Sequence, residues 1–199
     1  MSVFRKVLAS SVLATALAAA GVAGAAPSVA TQGGATTVAL DADFTGALDS
    51  LGVALGLTGN ASASAAGVAF PIPAGAIDVE TAVGEIIHTG GITLGVDGLT
   101  VALTTFTIDT TGDAPVLTGL VKANGDLLFR APLFDVELPA GFTLPIQASR
   151  LGVVRLDGVS LTLNAAAADL LNDVFGVDAF VEGFPIGTAS VTARTLPFR

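Results

Sequence analysis

The chain has 199 residues, with 8 Lys+Arg against 17 Asp+Glu for a formal charge of −9, and 52% of its residues are hydrophobic against 13% charged. So apolar a chain can bury enough surface to offset its conformational entropy, which excludes disorder, and its few scattered cations cannot form the phosphate-neutralising stripe of a nucleic-acid binder. With no Cys in the sequence, disulfide scaffolds, zinc ribbons, iron–sulfur centres and cysteine enzymes are excluded as well.

The N-terminus reads as an address. Arg5 and Lys6 form a basic start, an Ala/Val/Leu-rich run extends from Val7 to about Ala20, and Ala23-Gly24-Ala25 offers the small residues that a signal peptidase selects. The apolar run is short for a membrane span and is diluted by Ala and Gly. The expected organisation is a signal peptide over 1–25, a flexible lead-in over 26–37 rich in Ala, Ser, Thr, Gln and Gly, and a single domain over 38–199. Loss of Arg5 and Lys6 takes the formal charge from −9 to −11. The mature chain has no second long apolar stretch, so the product is expected to be secreted or held at the cell surface, without an integral membrane span.

Phe44, Leu48 and Leu51 follow Asp41 and Asp43 at i, i+4, i+7, the spacing of a short capped helix. Thr58–Gly67 is small and polar and reads as a loop. Strand-like runs follow at Val68–Ile72, Ile77–Glu80, Glu85–His88, Ile92–Val96, Leu99–Ile108 and Val116–Lys122. More come at Leu127–Phe129, Phe134–Leu138, Leu151–Leu156, Val159–Leu163 and Thr188–Ala193. In Leu99–Ile108 the two-residue period slips at Thr104-Thr105, the mark of a bulge. Asp97-Gly98, Asn124-Gly125 and Asp157-Gly158 separate apolar runs and read as tight hairpin turns, because such turns need two positive φ angles. Asn164 precedes Ala165–Phe175, whose apolar stripe ends at Gly176: a second helix with an N-cap and a left-handed stop. The class is all-β, mainly an antiparallel β-sandwich or flattened barrel, with one or two short helices.

Catalytic patterns are missing. Asp41, Asp43, Thr45 and Asp49 match part of a calcium-loop spacing, but Gly52 stands where a bidentate Glu is required, and the segment reads better as a helix. Asp109 and Asp113 lack the Asp-Thr-Gly order of an aspartic protease and suit a turn cap. No Gly-x-Ser-x-Gly occurs, and a serine relay would have to use the only histidine, His88. Without Trp or Tyr there is no sugar-stacking platform for a glycosidase. The chain is expected not to be an enzyme.

His88 ends the run Gly84-Glu85-Ile86-Ile87 and precedes Thr89-Gly90-Gly91. It is either a hydrogen-bonded strand-end residue or an imidazole ligand, with the glycines admitting a flat molecule. One His without Cys makes a weak metal site; a haem can use one axial ligand.

The His88-x-Gly90-Gly91 segment, the alternating strand through Asp109, and Leu117-Thr-Gly-Leu-Val121 leading into Asn124-Gly125 form one pattern. With Val159–Asp169 and Phe180-Val-Glu-Gly-Phe-Pro-Ile-Gly-Thr-Ala189, it resembles the HtaA-type domain of secreted, surface-exposed bacterial proteins over most of Phe70–Val191. The resemblance implies a β-rich extracellular domain that takes part in haem capture. Of the family's haem-associated positions only His88 is carried over: the tyrosine ligand and the Trp-Gly opening have no counterpart here. Two expectations follow. One is a binding module for haem or another small apolar ligand, with His88 beside it among Phe side chains. The other is a surface or matrix protein that contacts protein partners and holds no small molecule.

Overall fold

A computed structural model describes residues 28–149 and 151–195. Twelve strands and two helices follow in the order β1 (Ser28–Leu40), α1 (Ala42–Ser50), β2 (Ala54–Thr58), β3 (Ser62–Ser64), β4 (Gly67–Pro71), β5 (Ala74–Asp78), β6 (Gly84–Ile87) and β7 (Gly91–Val96). Then come β8 (Leu99–Asp109), β9 (Val116–Ala123), β10 (Asp126–Glu137), β11 (Val153–Leu163), α2 (Ala165–Phe175) and β12 (Pro185–Thr195). Eight strands, in the order β12-β11-β10-β9-β8-β6-β5-β1, close into an antiparallel barrel because β1 pairs again with β12. Closure pairs each barrel strand on both sides over part of its length, though β10 meets β11 only over Phe134–Glu137 and β2 and β3 remain edge strands. The all-β expectation holds, in its barrel form.

The two ends of the barrel differ. β1 ends into α1 and β11 ends into α2, and Leu40 pairs with Gly187 near the start of β12, so both helices lie at one pole. At that pole the wall forks. The second half of β1 pairs with β4 and the first half of β8 with β7, while the remainders of the two strands reach β5 and β6. β3 and β2 flank the fork. The opposite pole is a mouth, formed by the start of β1 and the end of β12.

Several sequence expectations need correction. The supposed lead-in over 26–37 is largely β1, which starts at Ser28. Its Gln32-Gly33-Gly34 stretch looks like a loop but is a bulge, where the register with β12 shifts between Thr31 and Gly34. The bulge changes the inward phase from Val29 and Thr31 to Thr36 and Val38. At Gly34, with φ +107°, a Cβ would collide with the carbonyl oxygen of Thr192 on β12. Thr58–Gly67 is not all loop, since Ser62–Ser64 forms β3. Asp157-Gly158 makes a bulge inside one continuous β11 and no hairpin, and the two short runs before Glu137 join into β10 with its own bulges. The proposed signal peptide over 1–25 lies outside the described residues.

Both helices form where the sequence places them. Asp41 caps α1 by accepting from the Asp43 amide at 2.8 Å, and Phe44 and Leu48 are buried beneath it. Asn164 caps α2 by accepting from the Ala166 amide at 3.1 Å, and Gly176 ends it in the left-handed region at φ +66°. The barrel core is built from alternating inward residues such as Val101, Leu103, Phe106, Val121, Leu133 and Leu161. Phe70 and Phe106 meet edge to face at 5.2 Å. Burying each such large side chain contributes about 1.5–3 kcal/mol relative to exposure. Gly119 makes room for this packing: a Cβ there would stand 2.5 Å from Leu133 and 3.0 Å from Phe106.

Candidate functional site

His88 sits in the seam where the wall forks. Its amide donates to the Phe106 carbonyl at 2.7 Å, the Thr89 amide to the Pro71 carbonyl at 2.9 Å, and the Thr105 amide to the Gly90 carbonyl at 3.1 Å. Thr105, at φ +52°, lies in the β8 bulge foreshadowed by the slip at Thr104-Thr105. The turn after β6 thus stitches β4 to β8 and points the His88 ring inward.

The ring is 2% exposed, and its Nε2 lies 2.7 Å from the Thr36 hydroxyl on β1. Nδ1 is buried with no hydrogen-bond partner among the described residues. Burial dominates its ionisation: removing the charged form from water pushes the imidazole down to about 4, against smaller opposing effects from the Phe106 and Ile86 backbone. At neutral pH the ring is therefore uncharged and keeps one lone pair, the state in which imidazole binds metals. A cavity of about 40 Å³ adjoins it, walled by Phe44, Phe70, Phe106 and Phe134. That is room for a water-sized guest. The space does not admit a macrocycle while Phe44 of α1 lines this pole.

The carboxylate candidates take structural positions. Asp109 accepts from the Thr111 amide at 2.9 Å and its hydroxyl at 2.6 Å, and these bonds lower its carboxyl below the usual range. It is a turn cap, and Asp113 lies on the loop beyond it. Asp41 caps α1, while Asp43 and Asp49 lie along that helix. No group of three His, Cys, Asp or Glu side chains is placed to hold a metal among the described residues. No described helix is long and apolar enough to cross a membrane.

At the mouth, a second cavity of about 500 Å³ opens inside the barrel. Val29, Ile77, Ile108, Val136, Leu156 and Val191 contribute to its largely apolar wall. The segment between β10 and β11 crosses over it, bringing Phe142, Leu144 and Ile146 to the cavity. The Ile146 amide donates to the Val79 carbonyl beyond β5, on the opposite wall, at 2.7 Å.

No family model and no curated protein matches the sequence. Solved structures do match the fold. The C-terminal domain of HtaA from Corynebacterium glutamicum superposes with a TM-score of 0.64 at 17% identity, covering 84% of this chain and 99% of that one. The N-terminal domain of the same protein gives 0.61 at 14% identity, with coverages of 84% and 99%. The heme binding protein HtaB from Corynebacterium glutamicum gives 0.56 at 13% identity, covering 85% and 96%. The chain has the HtaA-type fold.

Two features of this HtaA-type barrel escape a reading of the sequence. Thr36 as the partner of His88 depends on the β1 bulge, which hides that Thr36 faces inward. The mouth cavity is assembled from strand ends remote in sequence, and its only local trace is the apolar Phe142, Leu144 and Ile146 in a Pro- and Gly-punctuated connection.

Proposed function

We propose that this chain is an exported, non-enzymatic binding domain for an apolar ligand, with haem as the first ligand to test and His88 as the residue that would hold it. The observation that carries the reading is the state of His88: the one imidazole in the chain, uncharged at neutral pH, with Nδ1 unpartnered among the described residues and four Phe rings around the adjoining cavity. The HtaA-type fold, shared with a protein described as heme binding, supports it. For a macrocycle to reach the ring, α1 must move off the helical pole, carrying Phe44 and Leu48 with it. The helix has only nine residues, and the Asp41 amide at its start is tied to the Ile186 carbonyl of β12 at 2.9 Å. A haemin titration followed at the Soret band tests the reading. Saturation at one haem per chain is expected, and a linear, non-saturating response counts against it. Export is tested separately, by finding the chain outside the cell with Ala26 as its first residue.

A second reading, a surface protein that engages protein partners, has its own observation. β10 pairs with β11 only over Phe134–Glu137, and its free stretch exposes Leu127, Leu128 and Phe129 by 59%, 50% and 45%. Consecutive exposed apolar residues on a strand edge are a contact surface. Loss of partner capture in a Leu127→Ser/Phe129→Ser variant, with haemin without effect, would favour this reading.

A further inference from the structure

The geometry points to a second binding site at the barrel mouth, independent of His88, that takes the acyl chain of a single-chain lipid. The cavity of about 500 Å³ falls in the range of small-molecule sites, about 300–1,000 Å³. It is also elongated. Val191, Ala193 and Thr195 line it in succession along β12, a run of about 13 Å at 3.3 Å per residue. Eight-stranded barrels have an interior wide enough for one small ligand when side chains do not fill it. Here the pole beside the helices is filled by Phe106, Leu133 and Leu161, and the mouth is not.

The chemistry of the wall selects the ligand. Among the described lining residues there is no His, Cys, Met or Tyr, so a haem iron would find no imidazole, sulfur or phenolate donor. The polar groups of the wall are mostly threonine hydroxyls. Arg155 is the one cation and Asp113 the one carboxylate among the described lining residues, both are exposed, and Arg155 pairs with Thr192, out of phase with the inward Val191 and Ala193, so the wall offers no buried charge for a head group. Deeper in, Thr31 is 5% exposed, and its hydroxyl has no hydrogen-bond partner among the described residues. Gly75 on β5 leaves it space: a Cβ there would stand 2.5 Å from that oxygen. The connection carrying Phe142, Leu144 and Ile146 closes over the chamber and is exposed along most of its length, so it is the element that would part to admit a chain.

The test is a fluorescence titration of the full-length protein with cis-parinaric acid, a fatty acid that emits when its polyene leaves water. One saturable site is expected. Ala193→Phe, whose ring would fill the chamber, weakens binding at least tenfold. Thr81→Trp, which narrows the mouth from an exposed position outside the barrel strands, does the same and decides the matter if Ala193→Phe does not fold. His88→Ala, at the other pole, keeps full affinity, so failure of the haem reading and failure of this one are separable. A non-saturating signal, unchanged affinity in folded Ala193→Phe and Thr81→Trp, or a tenfold loss in His88→Ala would overturn the proposal.

Discussion

The Nε2 of His88 and the hydroxyl of Thr36, 52 residues apart in sequence, lie 2.7 Å apart inside the barrel, and both residues are buried. This bond ties the forked seam of the wall to β1. It also holds the ring in one orientation, and with the Thr36 oxygen on Nε2 the nitrogen left over is Nδ1.

Burial of His88 makes the stability of the fold depend on pH. An imidazole lowered to about 4 in the folded state, from 6.5 in the unfolded chain, favours folding fully above pH 6.5. As pH falls from 6.5 towards 4 the unfolded chain gains a proton that the folded one refuses, so stability is lost across that window and no further below it. The loss is about 3 kcal/mol at 1.36 kcal/mol per pH unit. Urea unfolding of the wild type and His88→Gln between pH 7 and pH 5 checks this, since the slope is expected to flatten in the variant.

Thr36→Val removes the hydroxyl and strands Nε2 beside an apolar group. A buried nitrogen without its partner costs about 1–3 kcal/mol. Thr36→Ser retains the oxygen and is expected to recover most of that loss in the same unfolding experiment. Equal losses in both variants would mean that the Thr36 methyl group, and not the hydrogen bond, matters.

Much of this fold is legible in the sequence because its local signals agree with the final structure. Asp97 and Gly98, at φ +49° and +83°, form the expected tight turn, as do Asn124 and Gly125 at +49° and +95°. Asn164 and Gly176 bound α2 as anticipated. What is not legible depends on long-range pairing. Gln32-Gly33-Gly34 has loop composition, yet β12, β4 and β5 supply the partners that make it strand. Asp157-Gly158 has turn composition, yet β12 pairs on both sides of it and reduces it to a bulge. The alternating runs reveal strands but not closure, since no local feature announces that β1 meets β12. His88 stands out because it is unique, whereas its partner and its burial follow from the barrel.

Gly34→Ala tests the β1 bulge. The substitution places a Cβ against the Thr192 carbonyl at a positive φ that Ala rarely adopts, and it is expected to cost at least about 2 kcal/mol. At Gly33, φ is also positive at +89° but the space is open, so Gly33→Ala should cost only about 1 kcal/mol. The difference between the two, read from thermal unfolding, measures how tightly β12 closes on β1.

Asn164 has two roles: its oxygen caps α2, and its amide donates to the Asp135 carboxylate of β10 at 2.7 Å. Asn164→Ala is therefore expected to cost about 1–2 kcal/mol. Asn164→Asp keeps the cap and places a carboxylate against Asp135, so it should be less stable than the wild type at neutral pH, and its deficit relative to the wild type should shrink in acid. Thermal melts at pH 7 and pH 4 distinguish the two contributions.

A haemin titration of wild type and His88→Ala in parallel decides whether His88 holds haem in this barrel. The chain has neither Trp nor Tyr, so its own near-ultraviolet absorbance barely interferes. A saturable, sharpened Soret band in the wild type, lost in a folded His88→Ala, is the predicted result. Equal binding by both proteins, or a flat non-saturating response in both, would contradict it.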